Sequence, residues 1–349
     1  MTPTPRFALV AALVAIAAGL VAVALLGPLT GGPIEYHVSE TLRNQTIGLD
    51  AVSLFVVAPF AVAAAVLARR GHVASPALAL GVGAYTAYMF VQYIVGPEYL
   101  ARPGDNERLF PLYLCLFVLG WGSALLAWQA ITSESGSGSR RRRVLGRVVL
   151  PLLALLAFSR YVPALADAMN GDPHDAGYRA GPTFFWTIAM LDLGIFLPAT
   201  VLTCIALLRG RPWAQKALYL VVGWFGLVGP AVAAMAIAMY VNDDPNATVG
   251  NAIAMTILGL AFAMLAVSVY LPLVRSSAAR GQSRRRRPTH VAAKWLFRVG
   301  PLGEPPQPEA ARVAGLPSDR GDAGTRASGL RGQARPRRPQ PCRAADGQG

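Results

Sequence analysis

Long blocks of this 349-residue chain contain no charged side chain, and they limit the possible folds more than any other feature. Among them are residues 7–34, 51–68, 109–133, 217–242 and 245–274. A run of about 18 apolar residues is enough to cross a bilayer as a helix. Charged residues make up only 14% of the chain, whereas a soluble domain has about 25%, so little polar surface is present to cover these blocks. The sequence therefore predicts an all-α protein, a polytopic transmembrane helix bundle.

Eight membrane-spanning helices are predicted within residues 1–274. They cover about residues 7–27, 49–68, 76–96, 110–132, 146–167, 184–208, 216–241 and 250–274. The apolar run of the first span is longer than the roughly 7–15 residues of a signal peptide. A retained anchor is therefore expected, and the alternative, a cleaved leader, would leave seven spans. Residues 275–349 are rich in Arg, Pro, Gly and Ala and predict a disordered tail.

The bias of arginine and lysine among the connections predicts the orientation in the membrane. With the N-terminus inside, the inner connections and Arg6 hold eleven basic residues, and the outer connections hold four. Most acidic residues of the connections fall on the outer side. Eight spans return the chain to the inner side, so both termini are predicted to be cytoplasmic.

The net charge of +14 is concentrated in the tail, where residues 275–349 hold 16 basic and 5 acidic side chains. The basic balance therefore does not indicate a nucleic-acid partner. Within the tail, residues 283–300 follow directly on the last span and combine basic with aromatic side chains, a pattern typical of contact with anionic lipids. A solvated charge run is the alternative. The predicted lipid-contact residues are Arg284, Arg285, Arg286, Arg287, Lys294 and Trp295.

An internal similarity raises the hypothesis of a parallel repeat of four plus four spans. Residues 68–83, ARRGHVASPALALGVG, align with residues 208–223, LRGRPWAQKALYLVVG, at an offset of 140. Arg69 matches Arg209 and Gly83 matches Gly223 in this alignment. Apolar composition favours such matches by chance, so unrelated halves are the alternative. A true repeat would place a ligand site at the interface between the halves.

The residues required by several membrane chemistries are missing. All four histidines lie in predicted loops or in the tail, which argues against a buried metal or haem site, and no cofactor is expected. The two lysines, Lys216 and Lys294, lie at the edge of a span and in the tail, so neither can form a Schiff base in mid-membrane. The three cysteines are far apart, and neither a P-loop nor a G-x-S-x-G motif is present. These absences argue against an enzyme.

Two charged residues interrupt predicted spans, Arg160 in the fifth and Asp192 in the sixth. A charge at the centre of a bilayer costs roughly 2.5–3.5 kcal/mol on insertion scales. At about 1.5 Å per residue, Asp192 lies roughly 12 Å and Arg160 roughly 10 Å from the same membrane face. Because the two helices are consecutive and antiparallel, we predict that the two side chains form an ion pair.

Other polar side chains are expected at a similar depth. Tyr85, Tyr88 and Gln92 share one face of the third span, Tyr161 lies in the fifth span, and Asp50 opens the second span at its outer rim. Together with the ion pair, they predict a polar pocket that opens to the outside. The alternative is a structural ion pair that fixes helix packing, with the tyrosines as interface aromatics.

Two segments carry a family resemblance. The run GLDAVSLFVVAPF, continued by LARRG and AYTAYMFVQYIVGPEY, and the run FWTIAMLDLGIFLPATVLTCIALLRGRPWA are similar to a group of uncharacterised multi-span membrane proteins of bacteria, especially GC-rich actinobacteria. The resemblance covers about residues 40–275. It implies a multi-pass protein of the bacterial plasma membrane, and it implies no activity and no functional residue.

The leading functional hypothesis is a membrane protein that binds or transports a small molecule or ion through an outward-facing polar pocket. In this hypothesis Asp192 carries an ion or proton, and Arg160 holds an anionic group or locks Asp192. One alternative is a structural or accessory membrane subunit without catalysis. A second alternative is a membrane-embedded enzyme that acts on lipid. Only the carboxylates predicted on the outer side favour this alternative.

Overall fold

The computed structural model of the chain describes residues 3–131, 144–159, 161–170 and 173–285. All regular secondary structure in these ranges is helical. Eight of the helices are long and apolar enough to cross a membrane, so the prediction of an all-α polytopic bundle is confirmed. These helices are α1 Thr4–Leu26, α2 Glu40–Arg69, α3 Ser75–Val95, α4 Asn106–Ala130, α5 Gly146–Met169, α6 Pro182–Leu208, α7 Ala214–Val241 and α8 Val249–Arg275, the last of which continues as helix to Arg285.

Helix α2 begins at Glu40, well before the predicted start near residue 49. Ser39 caps it, because its hydroxyl accepts a hydrogen bond from the Leu42 N–H at 3.3 Å. The first turns, ETLRNQTIG, are too polar to be recognised as part of an apolar span. The earlier start corrects the position of Asp50, which lies about 15 Å inside the helix at about 1.5 Å per residue and not at its rim.

Helices α2 and α6 each contain one wide π turn, at Ser53–Val57 and Asp192–Phe196. A proline follows each turn at the same distance, Pro59 in α2 and Pro198 in α6. Proline has no N–H to donate, and its ring clashes with the carbonyl four residues earlier, so a regular helix would be kinked or broken there. The π turn shifts the hydrogen-bond pattern ahead of the proline and allows the helix to continue.

The turns after α2 and α6 have the same geometry. Each contains a glycine in the left-handed region, Gly71 with φ 69° and Gly210 with φ 62°. In each turn the next residue donates back across the helix end, from His72 to the Leu67 carbonyl and from Arg211 to the Ala206 carbonyl, both at 2.9 Å. These positions differ by 139 residues, so the sequence alignment at 140 was wrong by one residue. The positive-φ glycine sets the register of the turn, whereas matches of Arg and Ala do not.

An arginine at the start of each half closes the end of that half's second helix. Arg6 Nε donates to the Ala68 carbonyl at 2.7 Å, and Arg147 Nη2 donates to the Leu207 carbonyl at 2.6 Å. The last carbonyls of a helix lack partners within it and carry partial negative charge, so a guanidinium there satisfies both needs. The two halves therefore have their helices and turns in the same order, and the same arginine-to-carbonyl contact forms within each half.

Helices α3 and α7, the third of each half, cross at the centre of the bundle. A Cβ on Gly81 would lie 2.9 Å from the Gly223 Cα, and one on Gly223 would lie 2.7 Å from the Gly81 Cα. Only glycine allows two backbones to approach so closely, as small residues do at many membrane-helix interfaces. Around this crossing, α2 of the first half packs on α7, and α6 of the second half packs on α3.

Replacing Gly81 or Gly223 by alanine should destabilise the bundle, because the new methyl group meets backbone that cannot move aside. Overpacking of this kind costs about 1–3 kcal/mol. Thermal unfolding in detergent measures the loss. Gly122→Ala is the matched control, since nothing lies within 4 Å of its Cβ position. Equal melting temperatures for the two kinds of variant would contradict the close crossing.

The bundle has a basic end and an acidic end. Arg6, Arg69, Arg147 and Arg209 lie at the basic end, where α2 joins α3 and α6 joins α7. The acidic end holds the connections between α1 and α2, α3 and α4, α5 and α6, and α7 and α8. Its carboxylates include Glu35, Glu98, Asp105, Asp175 and Asp243.

His37 joins two connections at the acidic end and is only 7% exposed. Its Nδ1 lies 2.6 Å from the Arg102 carbonyl, and its Nε2 lies 2.8 Å from Glu107 Oε2. Both partners accept hydrogen bonds, so both ring nitrogens are best satisfied when they carry protons. The Arg102 carbonyl, and then Glu107, raise the pKa of His37 above its usual value. Protonation of the ring therefore strengthens this connection.

The acidic end should be more stable at low pH than at high pH. Because the folded-state pKa of His37 is raised, its contribution is complete below the unfolded-state pKa of about 6.5 and is lost as pH rises through the folded-state value. We expect the melting temperature of the wild type to fall more between about pH 6 and pH 9 than that of His37→Gln. Parallel pH profiles for the two proteins would contradict this assignment.

Candidate binding site around Asp192

A cavity of about 240 Å³ lies between the two halves and reaches the acidic end. Its walls come from α2, α3, α5, α6 and α7 and from the connection before α6. Most of the walls are apolar, including Leu49, Phe184, Ile188, Val228 and Met235. The polar side chains in its lining are Gln45, Thr46, Tyr88, Gln92, Tyr161, Asp175 and Asp192.

Asp192 contributes a carboxylate to the lining of this cavity, and only 6% of the residue is exposed. The Tyr88 hydroxyl donates to Oδ1 at 2.7 Å, and the Tyr161 hydroxyl donates to Oδ2 at 2.6 Å. Tyr88 belongs to the first half and Tyr161 to the second. The carboxylate therefore connects the two halves through short hydrogen bonds of the charge-assisted kind.

The π turn of α6 places Asp192 next to a cluster of aromatic rings. Phe196, one turn further along, stacks on Trp224 of α7 with ring centroids 3.6 Å apart. The Tyr88 ring meets both rings edge-on, at 5.3 Å from Phe196 and 5.2 Å from Trp224. This packing restricts the Tyr88 side chain to a position from which its hydroxyl reaches Asp192.

A second cavity, of about 100 Å³, meets the same carboxylate from within the second half. It lies among α5, α7 and α8 and is lined by apolar side chains such as Phe158, Leu258 and Phe262. Asp192, Val228 and Val232 border both cavities. Asp192 thus occupies a partition between a cavity at the interface of the halves and a pocket inside one half.

Four of the residues predicted from the sequence lie together in the larger cavity: Tyr88, Gln92, Tyr161 and Asp192. The Gln92 amide donates to the Tyr88 carbonyl at 3.2 Å, one helical turn back. Its side chain therefore borders the cavity without contacting Asp192 by any described hydrogen bond.

Tyr85 and Asp50 are not part of this lining, which corrects the prediction that all five polar residues share one pocket. The Tyr85 hydroxyl lies 2.8 Å from the Ser53 hydroxyl, and the Tyr85 ring is completely buried. Asp50 faces the interior of the first half, where Tyr93 donates to it. The spacing of Tyr85 and Tyr88 places the two side chains on one broad helix face. Tyr85 nevertheless contacts Ser53 of α2, whereas Tyr88 contacts Asp192 of α6.

The predicted partner of Asp192, Arg160, lies outside the residues that the structure describes, and so do the side chains of the tail. The predicted Arg160–Asp192 pair therefore stays a prediction. The lipid-contact residues Arg284, Arg285, Arg286, Arg287, Lys294 and Trp295 stay predictions as well.

The first turns of α2 also line the cavity, which the sequence did not predict. Leu42, Gln45, Thr46 and Leu49 line it from one face of the first turns of that helix. Their spacing of three and four residues is typical of one face of a helix. The predicted span began only near residue 49, so this face was not recognised. Trp224 and Phe196 were also missed, since nothing in an apolar run distinguishes a ring that supports a site from one that faces lipid.

Within the described ranges, no three His, Cys, Asp or Glu side chains come close enough together to hold a metal ion. Comparison of the chain with protein-family models, with curated proteins and with solved structures gives no match. The case for a function therefore rests on the geometry around Asp192.

Removing the Tyr88 hydroxyl should destabilise the protein because Asp192 loses one charge-assisted hydrogen bond. A bond of this kind contributes about 1.5–3 kcal/mol. We expect Tyr88→Phe and Asp192→Asn each to lower the melting temperature in detergent, and the double variant to lose less than the sum. A coupling energy of about 0.5–3 kcal/mol is typical of residues in contact.

Tyr240→Phe serves as the control, since this tyrosine of α7 is half exposed and borders neither cavity. It should leave the melting temperature unchanged. Strict additivity of the Tyr88 and Asp192 substitutions would show that the two groups do not interact.

Proposed function

We propose that the chain is a multi-pass protein of the bacterial plasma membrane that binds or transports a small molecule or ion through the cavity around Asp192. Its termini would be cytoplasmic, with the basic end at the inner face and the cavity open to the outside. The excess of basic residues at one end over the four at the acidic end supports this orientation, since positive charge is retained on the cytoplasmic side.

The observation that carries the proposal is a buried carboxylate at the base of a cavity between two repeated halves. Ionisable groups inside membrane helices are expensive, and they commonly mark the path of a substrate, ion or proton. Sites in transporters built from repeats lie at the interface of the halves, near broken helices. Asp192 is such a group and lies at such an interface, because it begins the π turn of α6 and accepts a hydrogen bond from the other half.

The size and walls of the cavity favour a compact ligand. Its volume of about 240 Å³ lies below the usual 300–1,000 Å³ of pockets for larger ligands. Apolar and aromatic walls suit a molecule with an apolar body. In this proposal Asp192 carries an ion or proton, and Arg160 holds an anionic group or locks Asp192. In the described part of the lining, Gln45, Thr46 and Gln92 add hydrogen-bonding groups near the mouth.

A structural role as an accessory membrane subunit is the second candidate, and one observation favours it. Both oxygens of Asp192 accept a tyrosine hydroxyl, as expected of a carboxylate that fixes helix packing. In that case the hydrogen bonds between the halves would be the whole function of the residue.

We also propose that the basic tail contacts anionic lipids of the inner leaflet. Each basic residue near such a surface contributes about 1 kcal/mol. The four consecutive arginines at 284–287, followed by Lys294 and Trp295, would supply this attraction.

A thermal-shift experiment on the purified protein tests the binding function. The compounds are a series of small alkylammonium ions, sodium ion and small carboxylates, each added well above its expected dissociation constant. A ligand at about 100 times its dissociation constant stabilises the folded state by about 2.7 kcal/mol. We expect one class to raise the melting temperature of the wild type, and Asp192→Asn and Met235→Trp to abolish that shift.

Ile237→Trp is the matched control, because it adds the same side chain to α7 at an exposed position outside the cavity lining. It should keep the ligand-dependent shift. If no compound class shifts the wild type, or if Asp192→Asn and Met235→Trp keep a shift of the same size, the binding function is wrong. The structural candidate would then remain.

A further inference from the structure

Asp50 is a second buried carboxylate, and it lies in a part of the molecule that the cavity around Asp192 does not reach. It is only 1% exposed and faces the interior formed by α1, α2, α3 and α4. The residue before it, Leu49, lines the cavity between the halves. Helix α2 therefore has the cavity on one side and Asp50 on the other.

The hydrogen bonds around Asp50 are incomplete. The Tyr93 hydroxyl donates to Oδ1 at 2.7 Å, but Oδ2 is buried and has no hydrogen-bond partner. The buried hydroxyls of Tyr36 and Tyr113 lie in the same region and face each other, and neither makes a well-formed hydrogen bond. Tyr36 is 8% exposed and Tyr113 is 1% exposed, so water does not replace the missing partners by simple exposure.

Two of these oxygen atoms, those of Asp50 and Tyr36, lie beside Gly27 at the end of α1. A Cβ at Gly27 would lie 2.8 Å from the Tyr36 hydroxyl, 3.1 Å from the Val23 carbonyl and 3.3 Å from Asp50 Oδ2. The glycine leaves this small space to the oxygens. On the other side the rings of Tyr36 and Tyr93 meet edge-on, with centroids 5.6 Å apart, and Tyr93 lies 5.5 Å from Tyr113.

The titratable groups described around Asp50 are neutral tyrosines. They are Tyr85 and Tyr93 of α3, Tyr113 of α4 and Tyr36 of the α1–α2 connection. Within the described ranges no cation pairs with Asp50. The nearby ionic side chains at the acidic end pair with one another, as Arg102 with Glu98 and Arg108 with Asp105.

An ionised carboxylate in this position would be a buried charge with a single hydrogen bond, which is strongly unfavourable. A proton on Oδ2 removes this charge, and the protonated group then lies beside Gly27 together with the Tyr36 hydroxyl oxygen. A metal cation would need several oxygen ligands around it, whereas the oxygens without a well-formed hydrogen bond here are one carboxylate oxygen and two phenols. A proton is therefore the positive charge that this space fits best.

We propose that Asp50 is a proton-binding site that is separate from Asp192, and that Tyr36 and Tyr113 form the hydrogen-bonding chain beside it. The Asp50 carboxylate takes a proton from bulk solvent at the acidic end and becomes a neutral carboxylic acid, and release reverses this step. Tyr36 is the member of the chain nearest that end, since it lies in the connection between Glu35 and His37. Burial, and then the charge of Asp50 whenever it is ionised, hold the pKa of Tyr36 far above its usual value, so its hydroxyl keeps its own proton in both states of Asp50.

Infrared difference spectroscopy on the full-length protein tests the proposal, because the C=O stretch of a protonated carboxyl is resolved from that of a carboxylate. At neutral pH the wild type should show a protonated-carboxyl band that shifts in heavy water. Asp50→Asn should lack this band, and Asp192→Asn should retain it. If the wild type and Asp50→Asn give the same spectrum in this region, Asp50 is ionised and the proposal is wrong.

Tyr36→Phe provides a second measurement that keeps Asp50 and removes its nearest hydroxyl. The band should remain and move to higher frequency, because the carboxyl group loses a hydrogen-bond partner. An unchanged band would contradict the role of Tyr36. Titrations in sodium chloride and in N-methylglucamine chloride separate a proton from a metal cation. A sodium-dependent loss of the band would assign a metal-cation site and overturn the proposal, whatever ligand binds at Asp192.

Discussion

The close crossing of α3 and α7 at Gly81 and Gly223 is the contact around which the other helices are arranged. Lipid tails are as apolar as leucine, so helices in a bilayer associate through packing and hydrogen bonds more than through the hydrophobic effect. Two glycines that bring backbones together supply such packing at the centre. In each half, the helix with the π turn packs against the central helix of the other half, α2 on α7 and α6 on α3.

The site arises where the two halves stop being alike. The π turn of the first half begins with Ser53 and that of the second with Asp192. Ser53 shares a hydrogen bond with Tyr85 of its own half, in a fully buried contact. Asp192 instead accepts from Tyr88 of the other half and from Tyr161 of its own, and cavities lie on two sides of it. One substitution in a repeated element thus separates a packing position from a candidate binding position.

Two carboxylates within one bundle experience different surroundings. Asp192 has a tyrosine donor for each oxygen and borders open space. Asp50 has one donor and no cavity lining, and its free oxygen lies beside Gly27 together with the Tyr36 hydroxyl. Helix α2 lies between the two proposed sites, because Leu49 lines the cavity and the next residue, Asp50, faces the interior of the first half.

The number of spans and the helical class could be predicted from the sequence, because uncharged runs of bilayer length have few other stable folds. Asp192 could be predicted as unusual for the same reason, since a charge in such a run is costly wherever the helix packs. The start of α2 could not, because residues 40–48 are polar and become helical through the Ser39 cap and packing against the second half. Asp50 was therefore placed at the rim although it is buried.

What the sequence by itself determined is which segments must be helical and which residues must find partners in the membrane. Only the tertiary structure decided the partners, because they come from residues as distant as Tyr88 and Asp192 or Tyr36 and Asp50. It also decided that Tyr85 and Tyr88, three residues apart, serve different neighbours. Spacing along a helix sets the direction of a side chain, but the helix that meets it depends on how the two halves cross.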